Sequence, residues 1–265
     1  MTTCFNSIKE RIFYLSYCSQ EGHVPSALSI LDILWVLYDE VLNLKLIKSK
    51  SLKRDYFILS KGHGCLALYA VLEKKNFFKK NQLSNFCKEK SIFGGHPDSC
   101  KIPGIECSSG SLGHGLPFAV GIAYSNKINN IKSKTYVLIG DQESNEGSIW
   151  ESFLLASNYE LDNLICIIDN NESSKYSTYM NRYSKKLQSF DWSTIEVDGH
   201  NINQIKKALR VKVKNKPLAI IAKTTKGKGG YFLERNSEWH HKPINYEMYI
   251  KLKKKIYEKS ICKNS

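Results

Sequence analysis

The chain has 265 residues, 42% of them hydrophobic and 24% charged, with few prolines. This is a globular composition without low-complexity blocks or internal repeats, and the length can bury a substantial core. Basic residues exceed acidic ones by 39 − 25 = 14. The lysines are scattered, with no aromatic-interleaved stripe, zinc-finger spacing or helix-turn-helix signal, which argues against a nucleic-acid partner and leaves a positive field suited to anionic small molecules. The eight cysteines form no Cys-x-x-Cys pair. Cys65 and Cys166 sit in apolar segments, and no secretory signal precedes them, so the cysteines read as reduced thiols. No apolar run reaches membrane-spanning length, so the expectation is a soluble cytoplasmic protein.

Thr3 to Cys18 reads as a helix with Ile8, Ile12, Leu15 and Ser16 on one face. Gly22 to Ser26 is a loop. Ala27 to Leu42 is apolar at helical spacing, which predicts a helix buried in the chain or packed on a partner subunit. Lys45 to Arg54 reads as a basic linker. Tyr56 to Ser60 is a short strand, and Gly62-His63-Gly64 turns it into a helix from Cys65 to Glu73. A histidine between glycines at such a turn is placed to meet an anion; alternatively the glycines only make the turn and His63 is solvated. Gln82 to Cys87 is a short helical piece, and Ser91 to Cys107 is a loop with His96 before Pro97. Ser108 to Gly115 holds three glycines and leads into a helix from Leu116 to Lys127. Such a lead can cradle phosphate, or let a flat ring approach the backbone.

Val137 to Asp141 and Leu164 to Asn171 are short β-branched runs that stop at a carboxylate and an amide, the pattern of buried parallel strands. A helix from Glu146 to Tyr159 joins them. Ligands of open α/β sheets bind outside the carboxyl ends of the strands, where Asp141 and Asn171 would lie side by side. One carboxylate, one amide oxygen and one backbone carbonyl just past Asn171 would suit Mg²⁺ shared with a diphosphate and water. The competing reading makes Asp141 a cap of the following helix and Asn170-Asn171 a turn. Glu172 to Ser189 reads as a long loop over the mouth of the site. Thr194 to Val197 is a strand, Asn203 to Val213 a helix and Pro217 to Lys223 the last strand. Lys226 to Gly230 is a basic, glycine-rich loop, Trp239-His240-His241 follows, and the charged tail from Lys251 is expected to fray. Strand–helix units with continuous apolar strands predict an α/β fold: a parallel sheet with helices on both faces, in a single domain over 1–265.

Gly140-Asp141-Gln142, then roughly 30 residues, then Asn171 is the spacing of the Gly-Asp-Gly signature of thiamine-diphosphate enzymes. Around it stand Gly22-His23-Val24-Pro25-Ser26, Leu59-Ser60-Lys61-Gly62-His63-Gly64, Gly94-Gly95-His96-Pro97 and Ser109 to Gly115. Asn145 to Glu151, Glu196 to His200, Lys223 to Gly229 and Trp239-His240 complete the series. Together, and in this order, these segments resemble the transketolase family, and most of all the amino-terminal subunit of split, two-chain transketolases. One departure stands out: the family's second signature glycine is Gln142 here, which keeps the amide but adds a side chain where space is tight.

The resemblance implies a thiamine-diphosphate-binding domain of the kind that holds the diphosphate and Mg²⁺. Its metal ligands would be Asp141, Asn171 and the backbone carbonyl of Ser173. His63, His240, Asn171 and the amide of Gln142, next to Gly140, would meet the diphosphate, and Gly110 and Leu112 the rings. His23, His96 and His240 would surround the reacting carbon as proton donors, acceptors or hydroxyl ligands, since histidine titrates near neutrality. His114, His200 and His241 remain; of these, His114 is nearest the proposed site. Glu146 would pair across a dimer interface and couple two active sites, or stabilise a helix amino terminus. The reaction implied is transfer of a two-carbon ketol unit from a ketose (phosphate) donor to an aldose acceptor through a carbanion adduct on thiamine diphosphate. The pyrimidine-binding domain is missing after Lys223, so a separate carboxy-terminal transketolase subunit is expected, in a heterotetramer. Two alternatives are a tailoring enzyme that adds a short carbon unit to a specialised sugar, and a non-catalytic subunit to which Gln142 points.

Overall fold

The computed structural model describes residues 2–172 and 181–261. Among these, the parallel strands β1 (Tyr56–Leu59), β2 (Thr135–Gly140), β3 (Leu164–Asn170), β4 (Ser193–Asp198) and β5 (Leu218–Lys223) form one sheet in the order β1-β2-β3-β5-β4. Successive strand residues face opposite sides, and two apolar clusters divide them accordingly. Phe57, Leu59, Tyr136, Leu138, Ile165 and Ile167 join a cluster with α1 (Thr2–Ser19), α2 (Val24–Val36), α4 (Cys65–Lys74), α8 (Ile202–Leu209) and α9 (Tyr246–Ile261). Ile58, Val137, Ile139, Cys166 and Ile168 join the other with α5 (Gly115–Ile128), α6 (Gly147–Asn158) and α7 (Tyr183–Ser189). This is the expected parallel sheet with a helical layer on each face.

Helix α1 buries Ile8, Ile12, Leu15 and Ser16, the face its spacing predicts. Every residue of α2 except Asp32 is buried within this chain, between α1, α4 and α8, so no partner is needed to cover it. Pro25 sits in its first turn, where the missing N–H would have had no helical acceptor. Cys65 and Cys166 are buried free thiols. Among the described residues, no helix is long and apolar enough to cross a membrane.

Several local expectations are corrected. The basic stretch 45–54 is not all linker: it contains most of a short helix, α3 (Leu44–Lys48), because Asn43 Oδ1 accepts the amides of Lys45 and Leu46 and so caps it. The loop expected over 172–189 ends in α7, anchored by Tyr183 and Leu187 beside Trp192; residues 173–180 lie outside the described ones. The helix expected to reach Val213 stops at Leu209. As far as Ile261, the last described residue, the tail from Lys251 is the second half of α9, which lies along α1. Tyr249, Leu252 and Ile256 are spaced at helical turns and bury together while the lysines between them face water. Tyr249 stacks on Tyr17 with ring centroids 5.8 Å apart, and Lys253 pairs with Glu10 at 2.6 Å. Leu252→Ala is expected to cost about 2–5 kcal/mol, the range for emptying a buried leucine site. Urea unfolding followed by circular dichroism checks this, and a change below about 1 kcal/mol would mean that α9 does not hold α1.

Candidate functional site

The carboxyl ends of β1, β2, β3 and β5 converge on one crevice. Lys61 follows β1, Asp141 follows β2, Asn171 follows β3 and Lys226 lies just beyond β5. These four line a cavity of about 250 Å³ with His23, Ser26, His63, His96, Gly110, Leu112, Gly140, Gln142, Glu143 and His240. Of the residues nominated from sequence, ten therefore share one wall: His23, His63, His96, Gly110, Leu112, Gly140, Asp141, Gln142, Asn171 and His240. Glu146 does not. It is exposed at the amino terminus of α6, makes no side-chain cap bond there, and packs its Cβ and Cγ beside Gly113. Ser173 lies outside the described residues.

Asp141 does not cap α6, whose N-cap is Glu146. It is buried, and its Oδ1 accepts the backbone amide of Gln142 at 2.9 Å, while its carbonyl accepts the Ser144 hydroxyl at 2.5 Å. The Gln142 amide, expected at the diphosphate, is thus directed onto Asp141. Asn171 does turn back on its strand, with its amide on the carbonyl of Asp169 at 3.1 Å. Its side-chain Nδ2 donates to Asp169 Oδ2 at 2.7 Å, so its Oδ1 is the end turned away from Asp169, as a metal ligand requires.

Four wall residues escaped the sequence reading: Ser26, Lys61, Glu143 and Lys226. Lys61 Nζ pairs with Asp169 Oδ2 at 2.5 Å, and both side chains are buried. Asp169 also accepts from Ser29 Oγ at 2.8 Å and from Thr224 Oγ1. Buried Glu143 accepts the Ser60 hydroxyl and the amides of Gly113 (3.0 Å) and Gly140 (3.1 Å), tying the glycine loop to the end of β2. Lys226 Nζ lies 2.7 Å from His240 Nδ1. The signal for Lys61 and Lys226 was present in their motifs, but nothing in sequence distinguishes an inward lysine from the many surface ones. The His23 ring, held by a left-handed backbone at φ 63°, stands 5.3 Å from the rings of His63 and His240 and 4.5 Å from that of His241.

Residues 15–259 match the family model described as transketolase, thiamine diphosphate binding domain. The chain belongs to the transketolase family. It is 35% identical over 258 residues to an apulose-4-phosphate transketolase subunit of Phocaeicola vulgatus, covering 95% of this chain and 92% of that one. Its likeness to the protein of the same name from Actinobacillus succinogenes is 39% over 243 residues, 89% of this chain and 88% of that one. It is 37% identical over 242 residues to Homo sapiens transketolase, covering 89% of this chain but only 38% of the human one. Among solved structures it resembles the transketolase of Campylobacter jejuni (TM-score 0.86, 31% identity, 97% of this chain and 43% of that one). The likeness to the Leishmania mexicana enzyme has a TM-score of 0.87 at 28% identity, over 96% of this chain and 41% of that one.

The electrostatics of this transketolase domain suit an anion. Burial, and then the charges of neighbouring histidines and Lys226, push the His23 imidazole down to about 4. Burial and then Lys61 push His63 to about 2, and burial and then Lys226 lower His240. Burial and then Lys61 bring the Lys226 amine to about 8. These rings are therefore neutral at pH 7 and stand beside the Lys61 and Lys226 cations. His23 Nδ1 and Ser26 Oγ are buried without a hydrogen-bond partner, which marks them as groups awaiting a ligand. The donor set thus fits a diphosphate. Among the described residues, no three His, Cys, Asp or Glu gather as a ready metal cage; Asp141 and Asn171 fit a cation that also takes phosphate oxygens. An incoming anion favours the charged form of every base it meets, so each pKa rises and protons are taken up. Pyrophosphate titrated at pH 8, near the Lys226 midpoint, should draw protons from the buffer and bind more weakly as the pH rises. Calorimetry in buffers of different ionisation heat measures this uptake, which Lys226→Met should reduce; uptake unchanged in that variant would remove Lys226 from the anion site.

Proposed function

We propose that this chain is the diphosphate-binding subunit of a two-chain transketolase that moves a two-carbon ketol unit from a ketose phosphate to an aldose. The observation that carries the reading is the single cavity at the strand ends, where Asp141, Asn171, Lys226 and four histidines share one wall. Apulose 4-phosphate, in the names of two relatives, is the first substrate to test. Thiamine diphosphate, when bound, supplies a nucleophilic carbon and an electron sink. Asp141, Asn171 and the carbonyl of Ser173 would hold Mg²⁺. His63, His240 and Lys226 would hold the diphosphate, and Gly110 and Leu112 the rings; the Gln142 amide, committed to Asp141, would reach a phosphate oxygen only by leaving that carboxylate. His23, His96 and His240 would hold and move protons at the substrate's hydroxyl and carbonyl oxygens. The imidazoles of His23 and His240, lowered by burial and so neutral at pH 7, suit that role, because each can both accept and donate. Lys226, donating to His240 Nδ1, places the His240 proton on Nε2.

The partner would be a carboxy-terminal subunit carrying the pyrimidine-binding domain, in a cytoplasmic heterotetramer with two copies of each chain. Two features support a partner. The two relatives named as transketolase subunits are matched over most of their length, whereas transketolase of Homo sapiens is matched over 38%. The outer faces of α5 and α6 also expose Phe118, Ile128, Leu154 and Leu155, by 56, 59, 50 and 45%, an apolar surface of the kind that binds protein. Glu146 stands exposed at the amino terminus of α6, the helix that carries Leu154 and Leu155, and there would be open to a partner.

Gln142 lines the cavity wall yet is itself exposed, so its side chain has solvent to turn into and need not fill the site. It also favours a second reading, a subunit kept only for assembly. Calorimetric titration of thiamine diphosphate into the chain with its partner, with and without Mg²⁺, separates the two. Metal-dependent binding that Asp141→Ala weakens at least about 100-fold, the loss of one charged metal ligand worth ~3 kcal/mol, is the expected result. An assembled complex that binds no cofactor would leave only the structural reading. Without its partner the chain should show no ketol transfer, and turnover by the chain alone would rule out the two-chain reading.

A further inference from the structure

His200 and Asp32 lie outside the cavity and have no part in the chemistry assigned above. His200 follows β4. Asp32 is the only charged residue of α2 and the only one of that helix not fully buried. The imidazole joins two elements. Its Nδ1 lies 2.7 Å from Asp32 Oδ2, and the backbone amide of Thr225 donates to its Nε2 at 2.8 Å. A backbone amide nitrogen can only donate. Nε2 therefore carries no proton, the ring proton sits on Nδ1, and it is donated to the Asp32 carboxylate. The carboxylate fixes the tautomer, and the tautomer provides the acceptor that Thr225 needs.

Thr225 immediately precedes Lys226. The same turn is held at its ends by the Thr224 amide on the carbonyl of Asn170 (3.2 Å) and by the Gly227 amide on the carbonyl of Pro25 (2.9 Å). Between those anchors, the Thr225–His200 bond sets the peptide that leads into Lys226. Helix α2, which carries Asp32, also holds Ser26 and is preceded at its N-cap by His23. One imidazole thus ties the helix that bears Ser26 and follows His23 to the turn that bears Lys226.

We propose that His200 is a positioning residue: the Asp32–His200–Thr225 relay holds Lys226 in the cavity wall and against His240. The proposal rests on reading the cavity as a diphosphate site. It predicts different outcomes for two substitutions of similar size. His200→Gln places an amide oxygen near the Nε2 position and keeps an acceptor for Thr225. His200→Asn reaches only the Nδ1 position and keeps a donor to Asp32 alone.

Inorganic pyrophosphate is titrated calorimetrically into the full chain and its variants, with unfolding temperatures recorded alongside. Wild type and H200Q should bind alike, while H200N binds about tenfold more weakly, the value of one lost hydrogen bond in a part-buried site. In a Lys226→Met background H200N should have no further effect, because its action passes through Lys226. Equal binding by H200N and wild type overturns the proposal, and so does a loss that persists in the Lys226→Met background. Failure of the wild type to bind pyrophosphate would count instead against the diphosphate reading. The relay is then decided by ¹⁵N NMR of the histidine rings: a bare Nε2 on His200 is expected, and a proton there overturns it.

Discussion

The carboxyl edge of the sheet depends on the buried ion pair between Lys61 and Asp169. Lys61 comes from the end of β1 and Asp169 from β3, with β2 between them. Asp169 is shared further with Ser29 of α2, Thr224 beyond β5 and the side chain of Asn171. Burial pushes the Asp169 carboxyl up, but the Lys61 charge and these hydrogen bonds outweigh it and hold the group below the usual carboxylate range. Removing either member would leave an uncompensated charge in the core, at a cost of about 3–5 kcal/mol. That is a large share of the roughly 5–15 kcal/mol by which such domains are stable. The pair therefore ties the end of β1 to the end of β3, two of the strands on which the cavity is built.

Above that pair the cavity is an arrangement of bases kept neutral first by burial and then by neighbouring cations. His23, His63 and His240 line one small cavity with two lysines; after burial, neighbouring histidines lower His23, and lysines lower His63 and His240. The arrangement is costly without an anion and favourable with one, so its polar groups are organised for a ligand rather than for the stability of the empty domain. Glu143 plays the opposite part. Burial pushes its carboxyl up, against the hydroxyl and amides that donate to it, and those donors come from three separate segments of the wall. The glycine loop 110–115 is held to β2 through this one carboxylate. Gly113, at φ 81° and packed on Glu146 and Ser148, has no space for a side chain.

The sequence alone determined the fold class, because continuous β-branched runs alternating with amphipathic helices have one economical packing, a covered parallel sheet. It also located the candidate wall, because Asp141, Asn171, His63 and Gly110 stand at strand ends or in glycine turns, and those ends must share one edge of a parallel sheet. It was misleading at α9, where lysines conceal three inward positions one turn apart, and at α3, where a single capping asparagine decides the matter. Only the tertiary structure decided which lysines face inward, that Glu143 lines the cavity, and that Asp32 selects the tautomer of His200. The physical reason is common to all of these. Burial and charge pairing depend on residues far apart in the chain, Lys61 with Asp169 and Asp32 with His200, and local spacing carries no information about which distant side chain will meet a given one.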